Sequence, residues 1–94
     1  MPYILEEDRD KLASGIEALA SKIRSKGELN YAICELVGKL ILKTGISYTK
    51  ISEWIDAVHG AERELTRRIL DPYEDIKTKE NKDVQSFKDI ITRM

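Results

Sequence analysis

Hydrophobic positions along the chain recur with helical spacing, and no segment shows the strict alternation of a strand. The densest stretch is Gly27–Gly45, GELNYAICELVGKLILKTG. At the helical angle of about 100° per residue, Leu29, Ile33, Leu36, Leu40, Val37 and Ile41 form one broad face. Tyr31, Cys34, Gly38 and Leu42 widen it, leaving a narrow polar strip of Glu28, Glu35, Lys39 and Lys43. A helix apolar over most of its girth needs neighbours on several sides. The pattern therefore predicts the middle helix of a small bundle.

The helix before it is narrower. Leu12, Ile16, Leu19 and Ile23 make a single stripe, and Glu6, Glu7 and Asp8 suit a first turn, where carboxylates oppose the positive end of the dipole. This predicts a peripheral helix preceded by a short apolar arm, residues 1–5. Lys26-Gly27 reads as its end, although Ser25-Lys26-Gly27-Glu28 also has capping-box spacing and competes for the same residues. Gly45 is the expected stop of the central helix, and Ser47 the N-cap of the next, with Ile46 and Ile51 spaced as a hydrophobic staple.

That third helix is expected to run to about Leu70, with its stripe on Ile51, Ile55, Val58, Leu65 and Ile69 beside Trp54. Asp71-Pro72 predicts a break or kink, since a residue before proline is pushed out of helical geometry. Asp71 would then cap a polar fourth segment, with Pro72 at N1 and Glu74 at N3. Asn81-Lys82-Asp83 reads as a turn, and Val84, Phe87, Ile90, Ile91 and Met94 as a last short amphipathic helix. The expected fold is all-α: a small antiparallel bundle of three main helices with a kinked helical C-terminal extension. One helical domain is expected over residues 1–94, with an arm at 1–5 and an extension at 84–94.

Ninety-four residues suit one modest core. Sixteen basic residues against 17 acidic ones leave a formal charge of −1, which gives no global attraction to nucleic acid or to an anionic membrane. No apolar run approaches the ~20 residues of a membrane span, and the opening MPYILEEDRD turns acidic at once, unlike a secretory leader. The single Cys34 forms no internal disulfide and fits a reducing, cytoplasmic setting.

Candidate chemistry is sparse. Asn30 falls on the apolar side of the central helix, either as a specificity residue in a pocket or, preferably, as an amide satisfying the helix junction. Glu62 falls inside the third helix's stripe, where a buried carboxylate would be a functional candidate and a paired or displaced one structural. His59 is the only histidine, and one histidine makes no zinc constellation. A Cys34–His59 nucleophile pair is weaker than simple packing of Cys34 among apolar neighbours. Glu53-Trp54-Ile55-Asp56 and Glu7-Asp8-Arg9-Asp10 fit the E-x-x-D half of the motif pair that helical nucleotide pyrophosphatases use to hold Mg²⁺, but no E-x-x-E completes it. Arg63, Arg67 and Arg68 form the one basic patch. It reads first as a solvated helix end, with Glu64 spaced to pair with Arg68, and second as a phosphate or nucleic-acid contact.

Several pieces occur in a distinctive order: Pro2-Tyr3-Ile4, Gly27-Glu28-Leu29-Asn30-Tyr31, Arg67-Arg68, Pro72-Tyr73-Glu74-Asp75, Glu80-Asn81 and Asp83-Val84. Together they resemble a family of small uncharacterised proteins found in bacteriophage and prokaryotic genomes, over roughly Pro2 to Val84. The resemblance implies a viral or prokaryotic cytoplasmic setting and no assigned activity. It directs attention to Asn30, Tyr31, Tyr73, Glu74 and Asp75 as partner-binding or structural residues. The chain departs from the family pattern at Lys82, where glycine is frequent, and after Val84, where it carries an addition.

The leading expectation is a non-enzymatic interaction or regulatory module without cofactor or metal. The apolar excess on the central and last helices predicts a homodimer, with a further protein partner unspecified. The alternatives are a metal-dependent nucleotide-binding or hydrolase-like protein using Glu53, Asp56 and Glu62 or Glu74, and a nucleic-acid-binding accessory protein using Arg63, Arg67 and Arg68.

Overall fold

The computed structural model describes residues 4–94, all helix and connecting turns without a strand among them. The all-α class is as expected. Met1, Pro2 and Tyr3, part of the expected arm and of the first family piece, lie outside the described residues. The chain divides into two units, one ending at Gly45 and the other starting at Ile46.

The first unit holds α1 (Glu6–Ala20) and α2 (Lys26–Thr44). Glu6, Glu7 and Asp8 occupy the first turn of α1 as expected. Its end is earlier than Lys26-Gly27. The Ser21 N–H donates to the Glu17 carbonyl (3.1 Å) and the Ser21 hydroxyl to the Ala18 carbonyl (2.7 Å), closing the helix there. Gly27 is drawn into α2 instead, because Ser25 wins the competition as a cap. Its Oγ accepts from the Glu28 N–H at 3.1 Å, and the Glu28 carboxylate accepts from the Arg24 N–H at 2.7 Å. The carboxylate thus reaches one residue beyond the ordinary capping box and holds the incoming chain as well as the helix. Gly45 closes α2 at φ 128° and ψ 140°, its N–H donating to the Ile41 carbonyl. A side chain is rarely tolerated in that backbone conformation.

The second unit begins with the expected restart. The Ser47 Oγ accepts from the Lys50 N–H at 3.1 Å and opens α3 (Tyr48–Leu65). The predicted break at Asp71-Pro72 does not occur. The chain stays helical through a π-turn, Thr66–Leu70, into α4 (Asp71–Asn81). Asp71 is itself helical (φ −61°, ψ −48°) and supplies no side-chain cap; its N–H donates to the Thr66 carbonyl, five residues back. The physical reason lies with Pro72. In an uninterrupted α-helix its ring would press on the Arg68 carbonyl and leave that carbonyl without a donor. Widening the preceding turn by one residue shifts the ladder, so the helix absorbs the proline where the sequence predicts a stop. Lys82 ends α4 at φ 67° and ψ 147°, and α5 (Gln85–Arg93) follows.

No described residue is fully buried. The most shielded part of α2 is Val37, Gly38, Leu40 and Ile41, all half-buried, while Leu29 and Leu36 remain about half exposed (47% and 56%). Within its unit α5 packs on no other helix, and its apolar side chains stand open.

Candidate functional site

Each unit carries a concave feature. In the first, Leu19 at the end of α1 and Ile23 in the turn after it line a concavity together with Tyr31, Ala32 and Leu36 of α2. The result is a groove of about 780 Å³ whose floor is apolar. Its rim carries both signs of charge, with Lys22 from the turn after α1 and Glu28, Glu35 and Lys39 from α2. Lys39 and Glu35 approach within 3.9 Å as an i, i+4 pair. Both are largely solvated, so the pair shapes the rim more than it stabilises the helix.

In the second unit, a polar hollow of about 540 Å³ lies beside the π-turn, lined by Glu62, Arg63, Glu64, Thr66, Arg67 and Asp71. Its organising group is Glu64, whose side chain is 20% exposed. One guanidinium nitrogen of Arg67 donates to both Glu64 oxygens, at 3.0 and 3.1 Å, and Arg68 stands 3.9 Å from the same carboxylate. Arg63 forms no ion pair among the described residues. The basic patch is therefore an acid–base knot, with carboxylates interleaved among its arginines, and presents no uniformly positive face to a phosphate backbone.

The other sequence candidates are placed as follows. Asn30 is exposed, and its Oδ1 accepts from the Cys34 thiol one turn later at 3.7 Å. The expected burial of that amide is not found, and the thiol answers part of its hydrogen-bonding need within α2. Tyr31, its neighbour, is the one of the two that lines the groove. Tyr73 lies in α4 with the Lys77 ammonium 5.6 Å from its ring centroid, and Lys77 also pairs with Glu80 at 3.1 Å. Glu74 and Asp75 are exposed on the same helix. Glu62, read either as a buried functional carboxylate or, preferably, as a paired or displaced one, is exposed, and Glu64, two residues on, is the more shielded. Glu53 pairs with Lys50 at 3.7 Å, and Asp56 and His59 are exposed. No three His, Cys, Asp or Glu side chains among the described residues come together as a metal-binding group. Sequence reasoning missed the groove residues Leu19, Ile23, Ala32 and Leu36 as a set. Their common signal is apolar character on either side of one short turn, visible only once the turn's geometry is known.

A family model matches residues 1–84. The chain belongs to the DUF6899 family, a domain of unknown function. Comparison with curated proteins and with solved structures found no match. The DUF6899 match includes the groove, the polar hollow and the Lys82 turn, and stops where α5 is about to begin. No helix among the described residues is long and apolar enough to cross a membrane.

Proposed function

We propose that this DUF6899 protein is a non-enzymatic interaction module that works as a homodimer, in the cytoplasm of a prokaryotic or phage-infected cell. The observation that carries the reading is the absence of any fully buried residue among those described, in a chain with helix faces as apolar as those of α2 and α5. Apolar faces of this kind are stable when covered, and each buried Leu or Ile side chain contributes about 1.5–3 kcal/mol. A second copy covers them at no cost in new sequence and completes an antiparallel helical bundle. The chain then acts as one domain, with residues 84–94 as a helical extension. Asn30, Tyr31, Tyr73, Glu74 and Asp75 are exposed on their helices and available to a further protein partner.

Native mass spectrometry of the purified protein across a dilution series tests this. A ligand-free dimer that gives way to monomer on dilution supports the module. A monomer at every concentration overturns it. A retained metal- or nucleotide-sized mass would replace it with the enzyme reading and direct attention to the carboxylates.

A further inference from the structure

We infer that the groove between the end of α1 and α2 is the seat of α5 from a second copy of the chain, so that the homodimer is held by exchanged C-terminal helices. This rests on the self-association proposed above and specifies its interface. The anchor spacing comes first. Phe87, Ile90, Ile91 and Met94 stand at i, i+3, i+4 and i+7, the pattern by which an amphipathic helix lays one face into an apolar groove. All four are open to solvent, Phe87 and Ile90 at 56%, Ile91 at 60% and Met94 at 91%.

The dimensions agree. Nine helical residues span about 13.5 Å, and the stretch of α2 that walls the groove, Glu28 to Lys39, spans about 18 Å. The volume, about 780 Å³, lies in the range of sites that enclose most of an inserted apolar group. Charge fits as well. On a helical wheel Lys88 and Arg93 stand on the two shoulders of the apolar arc of α5, and the groove's rim carries Glu28 and Glu35 beside Lys22 and Lys39, so cations and carboxylates are available on both partners. Area then favours exchange over a single contact. Covering four such anchors removes roughly 400 Å² from the helix and a like area from the groove. Two symmetric contacts therefore bury about 1,600 Å², the size of a standard stable interface.

Family membership gives the arrangement a rationale. The groove lies within the DUF6899 match and α5 beyond it, so this chain carries its own ligand for a surface of the family module.

The test uses the unmodified chain. A dimer is prepared by mixing uniformly ¹³C,¹⁵N-labelled and unlabelled protein, and isotope-filtered NOEs are recorded so that only contacts between copies appear. Cross-peaks between the Phe87 ring and the methyls of Leu19, Ile23 or Leu36 are expected. A dimer that lacks them overturns this interface while leaving self-association intact, as do such contacts confined to single chains. A monomer at NMR concentration overturns both. Phe87→Ala, at a position exposed in the single chain, is expected to weaken dimerisation at least tenfold; an unchanged dissociation constant contradicts the inference.

Discussion

Two helices of this protein end on a backbone with positive φ, one at glycine and one at lysine, which makes a matched pair of opposite predictions. Gly45 closes α2 at φ 128°, ψ 140°, and Lys82 closes α4 at φ 67°, ψ 147°. No neighbouring atom lies within 4 Å of a Cβ built on Gly45, so a side chain there meets backbone strain alone and no clash. That strain costs about 1–3 kcal/mol. Gly45→Ala recovers about 0.5–1 kcal/mol by restricting the unfolded chain, leaving a net loss of about 1–2 kcal/mol. Lys82→Gly runs the other way. It relieves a strain of the same order and gives up about 0.5–1 kcal/mol to glycine's freedom in the unfolded state, for a net gain of about 1 kcal/mol. Urea unfolding followed by far-UV circular dichroism, at one fixed protein concentration, reads both as shifts in midpoint at constant slope. If Gly45→Ala is neutral, or Lys82→Gly lowers the midpoint, the backbone account of these two turns is wrong.

Three further outcomes follow from local geometry. Ser25→Ala and Ser47→Ala each remove a hydroxyl that accepts a helix N–H at 3.1 Å, and each is expected to cost about 1 kcal/mol in the same unfolding assay; if neither shifts the midpoint, the capping assignment fails. Glu64→Gln removes a carboxylate shared by Arg67 and Arg68, whose own side chains are largely solvated. Its cost is expected at about 0.5 kcal/mol, shrinking with added salt, and a loss that is large and salt-independent would contradict a surface pair. Pro72→Ala restores a donor to the ladder and is expected to let the π-turn relax to regular α-helix, with a gain of about 1 kcal/mol. Backbone chemical shifts and amide exchange over residues 66–72 report whether the turn is rebuilt, and an unchanged π pattern would show that proline is not its cause.

Local chemistry was the part of this fold most legible in the sequence. Ser47 and Gly45 act within one turn of themselves, so their roles in starting α3 and ending α2 could be read without knowing any neighbour. Ser25 posed a real competition, because a capping box and a glycine stop claimed the same four residues, and the two hydrogen bonds gathered by Ser25 and Glu28 decided it. Pro72 misled for a different reason. A proline forbids one hydrogen bond and one ring position, yet a helix has two responses, to stop or to widen, and sequence alone does not choose between them. Arg67 and Arg68 are spaced equally well from Glu64 at i+3 and i+4, so the closer partner depended on the helical register, which the π-turn alters. The groove was illegible because Leu19 and Ile23 come to line one concavity with Tyr31 and Leu36 only through the bend at residues 21–25. The stripe of α1 was visible from spacing, but not what it faced.

The central claim is that a second copy completes the core, and the concentration dependence of stability tests it most directly. Urea unfolding measured over a hundredfold range of protein concentration is expected to show a midpoint that rises with concentration, as mass action requires when folding and association are coupled. A sharp, cooperative transition whose midpoint stays fixed across that range would show that the single chain folds without its copy, and would contradict the account.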